Sequence, residues 1–253
     1  MENKAVEILW TGGWDSTYRM VELSRKEVTV KPVYVYGDNR PSELYERKAM
    51  NDILDALRKH KETKATFLPI EFIDKKQIPE NEKVTNAYKI IHESTGLGPQ
   101  HEYLGRLAFQ RPGIELGHEH GVSAEGHLTK ALNQFCCVYP NPAGEGYYFD
   151  KDKSTKEGTL VLGNFAYSIM DKTEEDMARN IKEWGYEDVM KLIWFCHNPI
   201  KGKPCGVCHP CKVKVGSGMA YLLPEVALKR RKKYDALKPL LGEKVARHLA
   251  RLL

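Results

Sequence analysis

The chain has 253 residues, 42% of them hydrophobic and 29% charged, with a formal net charge of +5. These are ordinary globular values, and the length supports one large α/β domain or one domain with a compact appendage. No uninterrupted apolar run approaches the roughly 20 residues that span a bilayer. The opening MENKAVEILW reads straight into a strand and not as a signal peptide, so a cytoplasmic protein without a membrane partner is expected.

In chain order, Val6 to Trp10 reads as a short buried strand and Ser16 to Lys26 as the helix after it. Thr29 to Tyr36 is a second strand. Pro41 to His60 is a helix with apolar positions at Leu44, Met50, Ile53, Leu54 and Leu57. Further strands are expected at Ala65 to Phe72, Thr159 to Leu162 and Lys191 to Phe195. Thr173 to Trp184 is a helix with Thr173 as cap, Asp176 three residues on, and Gly185 at its end. The stretch from Ile91 to Lys156 is rich in Gly, His and Pro, and substrate-contacting loops are placed there. From Cys208 onward the chain reads as helical, with a break at Leu222-Leu223-Pro224. Strand and helix alternate, which predicts a mainly parallel open sheet with helices on both faces. The expected organisation is an α/β domain over residues 1–190 and a zinc-knuckle and helical C-terminal lobe over residues 191–253, packed with it.

The first chemical signal lies where the first strand meets its helix: Leu9-Trp10-Thr11-Gly12-Gly13-Trp14-Asp15-Ser16-Thr17. Paired glycines let backbone pass close to an anion, and the N–H groups opening the next helix point at phosphate with the helix dipole behind them. The hydroxyls of Thr11, Ser16 and Thr17 are candidate donors, and Asp15 is a candidate to order water or Mg²⁺. The bland alternative is a glycine turn with a capping aspartate. The loop lacks the Gly-Lys-Ser/Thr ending of a P-loop and the third glycine of a dinucleotide fingerprint.

The second signal is CHNPIKGKPCGVCHPC. Four of the six cysteines, Cys196, Cys205, Cys208 and Cys211, fall within these sixteen residues, which favours metal over disulfides in a reducing compartment. Gly206 allows a tight knuckle. A tetrathiolate zinc with no open position is the leading reading, ahead of an iron–sulfur cluster or a redox pair. Cys136 and Cys137 read as part of a buried helix, and His197 and His209 as exposed or outside the ligand set. The basic run Lys229 to Lys233 reads as a solvated helix face, so nucleic acid is not an expected partner.

The glycine loop resembles the Ser-Gly-Gly-x-Asp-Ser loop of the ATP-pyrophosphatase (PP-loop) superfamily, with Thr11 in place of its serine and Gly12, Gly13, Asp15 and Ser16 matching. With the run Lys203-Pro-Cys-Gly-Val-Cys-His-Pro-Cys211, the chain resembles the 7-cyano-7-deazaguanine synthase family. The stretches Tyr36-Gly-Asp-Asn-Arg40, Thr159-Leu-Val-Leu-Gly-Asn164 and Lys172-Thr-Glu-Glu-Asp176 extend the likeness, which is strong only at the two ends. The resemblance implies an adenine nucleotide alpha hydrolase-like, Rossmann-like fold, a homodimer, and ATP, Mg²⁺ and structural Zn²⁺ as cofactors. It also implies a carboxylate substrate adenylated by ATP, then converted by ammonia to an amide and on to a nitrile. Asp15, Ser16 and Arg40 are the catalytic candidates; residues 9–13 and 15–17 are the nucleotide-binding ones. Two departures point to a diverged member. Gln100-His101 stands where the family carries Arg-Asn, and His118, Glu119, His120, Glu125 and His127 occupy the region of its Tyr-Pro-Asp-Cys stretch. A diverged ligase using another amine, even a protein amine, or an inactive nucleotide-binding module are the alternatives.

Overall fold

The computed structural model describes residues 5–117, 126–142 and 144–252. Its elements in chain order are β1 (Val6–Leu9), α1 (Trp14–Ser24), β2 (Thr29–Tyr36), α2 (Glu43–Lys59), β3 (Thr66–Phe67), β4 (Glu71–Asp74), α3 (Glu82–Thr95), α4 (Gln100–Gln110), β5 (Ile114–Leu116), α5 (His127–Phe135), β6 (Cys137–Pro140), β7 (Tyr147–Asp150), α6 (Lys156–Val161), β8 (Phe165–Ala166), α7 (Glu174–Trp184), α8 (Glu187–Met190), α9 (His209–Gly216) and α10 (Glu225–Arg251). The main sheet runs β3-β2-β1-β5-β8 with β4 also beside β2, and all of its pairings are parallel. The central strand β1 sets Leu9 opposite Val33 on one side and Leu116 on the other. The chain therefore leaves the sheet at Trp10 between two neighbours whose ends flank the same crevice.

Each face is closed by its own helices. Side chains of α1, α2, α7 and α8, including Tyr18, Met20, Met50, Ile53, Leu57, Met177 and Val189, bury against one face of the sheet. Those of α3 to α6, with Val84, Ile91, Leu107, Leu132 and Val161, bury against the other. On α2 the buried positions Ala49, Met50, Ile53, Leu54 and Leu57 follow the three-to-four spacing of an inward stripe. In α7 the capping box forms as the sequence suggests: Asp176 N–H donates to Thr173 Oγ1 and Thr173 N–H to the Asp176 carboxylate, and Gly185 ends the helix at φ 76°. Helix α1 is fixed to β5 by Arg19, whose Nε and Nη2 each donate at 2.8 Å to the Glu115 carboxylate with both residues buried. No described helix is long and apolar enough to cross a membrane.

The parallel α/β architecture and the helical C-terminal region agree with the sequence reading, but several strands do not. Thr159 to Leu162 lies in or ends helix α6, because Thr155 caps that helix by accepting the Gly158 N–H at 3.0 Å. Lys191 to Phe195 forms no strand: the Trp194 N–H donates to the Gly12 carbonyl at 2.9 Å and not to a sheet neighbour. Ala65 to Phe72 divides into β3 and β4 around Pro69, which has no N–H to donate; β2 advances three residues between the two pairings while this segment advances four. The sheet positions beyond β1 go instead to β5 and β8, three and two residues long, whose shortness hides their periodicity. Residues 91–156 are more regular than expected and include α4, β5, α5 and the β6–β7 hairpin. Cys136 ends α5 and Cys137 opens β6, so the pair is not mid-helix.

His101 lies buried on α4 with Nδ1 3.2 Å from the Gly98 carbonyl, and desolvation holds its pKa down at about 4. The unfolded chain takes up this proton near pH 6.5, whereas the native state takes it up only near pH 4. The contribution is therefore complete above pH 6.5 and is lost as pH falls towards 4, to a total of roughly 3 kcal/mol. Chemical denaturation of wild type and His101→Gln between pH 4 and 7.5 should show their stability difference shifting by that order in favour of the variant at low pH. A difference independent of pH would contradict the assignment.

Candidate nucleotide and metal site

The loop from Thr11 to Gly13 carries the chain out of β1 into α1. Gly12 takes φ 71°, a region open to glycine at little cost, and a Cβ there would press to 3.2 Å on Met50 Cγ. The N-cap of α1 is Gly13, which offers no side-chain acceptor, so the first N–H groups of the helix are not capped by it. Two cavities meet at this point. One, about 350 Å³, is lined by Thr11, Gly13, Trp14 and Asp15 of the loop, by Arg40 and Glu46, and by Glu174, Trp194, His197, His209 and Lys214, among others. The other, about 770 Å³, opens at the carboxyl ends of the strands. Its lining includes Leu9, Trp10, Val33, Val35 and Leu116, with Asp38, Lys75, Gln100 and Tyr103 as a polar wall. Thr11, Arg40 and His197 belong to both.

Asp15 lies half-buried in the wall of the first cavity, and desolvation pushes its pKa up to about 6, moderated by the charge of Lys214 and reinforced by that of Glu174. Lys214, also buried, is ion-paired with Glu174 and sits 4.9 Å above the Trp14 ring. Arg40 donates to the Glu46 carboxylate at 3.0 Å, and Tyr34 and Ser42 each donate to Glu46 at 2.7 Å. Glu46 thus holds Arg40 at the junction of the two cavities. Across the larger cavity, Tyr103 donates to Asp38 at 2.8 Å and Lys75 pairs with the same carboxylate at 2.5 Å.

The sequence candidates separate by position. Thr11, Gly13 and Asp15 face the smaller cavity, and Leu9, Trp10, Thr11 and Ser16 line the larger one. Gly12 supplies the turn, while Thr17 is fully buried and accepts a hydrogen bond from Trp10 Nε1 at 3.0 Å, behind the cavity wall. Arg40 stands in both linings. Of the histidine-rich region, His118, Glu119, His120 and Glu125 lie outside the described residues. His127 donates through Nδ1 to the Thr95 carbonyl at 2.8 Å and is absent from both cavity linings. Burial pushes the Cys136 thiol up to about 12, which leaves it a poor nucleophile at neutral pH.

Lys214, Glu174, Glu46, His197 and His209 are cavity residues that motif reading missed. One signal was present: Lys214 stands three residues after Cys211, so the helical turn that aims a ligand inward also turns this lysine inward.

The four cysteines converge. Cys196, Cys205, Cys208 and Cys211 are all buried, and their sulfurs lie within 4.8 Å of one another. Cys208 Sγ is 3.9 Å from Cys196 Sγ and 3.4 Å from Cys211 Sγ. A zinc tetrahedron with Zn–S bonds near 2.3 Å has edges of roughly 3.8 Å, so the donor set fits. Backbone N–H groups already aim at the sulfurs: Cys205 N–H donates to Cys196 Sγ at 3.1 Å, and Cys208 N–H to Cys205 Sγ at 3.3 Å. Gly206 makes the knuckle at φ 83°, where any Cβ would meet the Ala227 carbonyl at 2.1 Å. Four protein ligands fill the tetrahedron, which assigns the metal a structural part.

No protein-family model matches the sequence, and no curated protein matches it. The chain combines a Rossmann-like parallel α/β fold with a buried Cys₄ cluster able to hold a metal, an arrangement consistent with PP-loop enzymes in general.

The burial of Asp15 has a measurable consequence. The unfolded carboxyl ionises near pH 3.8 and the native one near pH 6, so the stability associated with its protonated form is lost as pH rises between these values. At pH 7.5 the native state carries a cost of about 3 kcal/mol. Asp15→Asn should therefore be more stable than wild type at pH 7.5 by that order, with the gap closing below pH 4; equal urea midpoints at pH 7.5 would refute it.

Proposed function

We propose that the protein is an ATP-dependent, AMP-forming carbon–nitrogen ligase of the PP-loop type, converting 7-carboxy-7-deazaguanine and ammonia to 7-cyano-7-deazaguanine. The observation that carries the nucleotide part is the amino end of α1, where Gly13 supplies no side-chain cap, beside a cavity that also holds Lys214 and Arg40. Backbone N–H groups, a helix dipole and two cations around one space form a receptor for phosphate.

In this reading the triphosphate lies along Thr11 to Ser16 with Lys214 against its charge. The larger cavity takes the planar rings between apolar walls, and Arg40 at the junction receives the carboxylate. A carboxylate oxygen attacks the α-phosphorus and pyrophosphate leaves. Ammonia then attacks the acyl carbon and AMP departs, giving the amide. A second ATP activates the amide oxygen in the same way, and loss of AMP and protons leaves the nitrile. Holding carboxylate and phosphorus together replaces a bimolecular encounter with a positioned one. Asp15 and Glu174 are the hard oxygen donors that would hold Mg²⁺, which when bound offsets phosphate charge.

A second reading, a ligase that passes the same activated carboxylate to another amine, is favoured by Gln100. That neutral side chain lines the larger cavity where the resemblance leads one to expect an arginine.

The test is mass spectrometry of purified protein with ATP, Mg²⁺, ammonium and 7-carboxy-7-deazaguanine. Two AMP released per nitrile formed is the expected result. Accumulation of amide or adenylate alone would move the assignment to the second reading, and no AMP above a no-enzyme control would refute the ligase. Lys214→Met should lower kcat/KM by roughly 100-fold or more, the order seen when one preorganised electrostatic contact is removed. Rates equal to wild type would remove Lys214 from the phosphate site.

A further inference from the structure

One residue of the basic run contradicts the solvated reading. Arg230 is only 5% exposed, and its Nε and Nη1 are buried without a hydrogen-bond partner. Among the described residues it makes no ion pair. Arginine stays protonated in a protein, so this is a buried cation whose counter-charge the polypeptide does not supply.

Its position indicates what does. Ala227 and Tyr234, three residues before and four after it on α10, belong to the same buried shell as Cys196, Cys205, Cys208 and Cys211. The Ala227 carbonyl lies directly under the knuckle at Gly206. All three acidic side chains of α10 are engaged elsewhere: Glu225 with Lys229 at 2.8 Å, Asp235 with Arg231, and Glu243 with Arg247. The segment 196–211 contains no aspartate or glutamate. It does contain four thiols that, as thiolates around a divalent metal, leave an excess of two negative charges.

We infer that Arg230 is the counter-cation of the cysteine metal centre, holding the tetrathiolate in its anionic form and slowing loss of the metal. The inference rests on the metal reading of the four cysteines and is independent of the nucleotide chemistry. A cation near thiolates lowers the energy of the sulfur lone pairs and offsets the excess negative charge of the centre. Arg230 is a positioning residue in this sense, acting on the metal through its ligands.

The experiment uses full-length zinc-loaded protein as wild type, R230K, R230Q and R230M. Zinc release to a chromogenic chelator is followed together with the thiolate-to-metal charge-transfer band after exchange with cobalt(II). R230M and R230Q should release zinc about tenfold faster or more, the lower end of the effect of outer-shell partners on metal sites. Their charge-transfer bands should move to longer wavelength, and R230K should fall between them and wild type. R230Q carries the same expectation if R230M fails to fold. Packing alone would not move the band. Wild-type release rates and band positions in the neutral variants would overturn the assignment while leaving the metal reading intact. A wild-type protein that takes up neither zinc nor cobalt would overturn both.

Discussion

The hydrogen bond from the Trp194 N–H to the Gly12 carbonyl, 2.9 Å long, joins the two chemical halves of this molecule. Gly12 is in the left-handed region, which turns its carbonyl away from the helix that follows. Trp194 takes that carbonyl, stacks its ring on Tyr45 at 4.7 Å and donates its indole N–H to the Cys196 carbonyl at 2.9 Å. The limb leading to the first cysteine is thereby pinned to the glycine loop. From that anchor, α9 brings Lys214 over Trp14, and His197 and His209 close one side of the smaller cavity. The cysteine cluster thus stands behind the residues that form this side of the cavity wall.

Charge is distributed by the same logic. The buried carboxylates of Glu115 and Glu46 are satisfied by arginines and hydroxyls, and both fix an element beside the loop. Asp15 differs: it lines the cavity with a pKa of about 6, and its compensating charge, Lys214, is shared with Glu174. A group held at a cost to the fold, in a cavity and beside the open end of a helix, is what the proposed nucleotide site would draw on. Arg230 is the matching case of opposite sign, a buried cation beside a cluster whose four thiolates would carry the excess negative charge around a divalent metal.

Local signals in the sequence were strong where backbone geometry has few solutions. Thr-Gly-Gly followed by Asp-Ser specified a strand-to-helix turn, because only glycine takes φ 71° there without strain. Thr173, Asp176 and Gly185 specified both ends of α7. The cysteine spacing specified a cluster, since thiols that close in sequence at knuckle intervals converge readily on one point. The alternation of elements was enough for a parallel α/β fold. These are short-range constraints, and sequence records them directly.

The remaining features depend on long-range competition for the same backbone and the same space. Thr159 to Leu162 is apolar enough for a strand, yet the Thr155 cap makes it helical; Lys191 to Phe195 reads as a strand too, yet the Trp194 amide bonds the glycine loop and not the sheet. Lys214, Glu174, Glu46 and His197 come from four separate parts of the chain, and no motif links them to Asp15. Nor does the run Lys229 to Lys233 distinguish Arg230 from its neighbours, because helical phase against the cysteine shell sets which of the five is fully buried. The sequence by itself determined the loop, the cluster and the class of fold. Packing decided which charges stand around them, since burial and electrostatics are properties of neighbours in space.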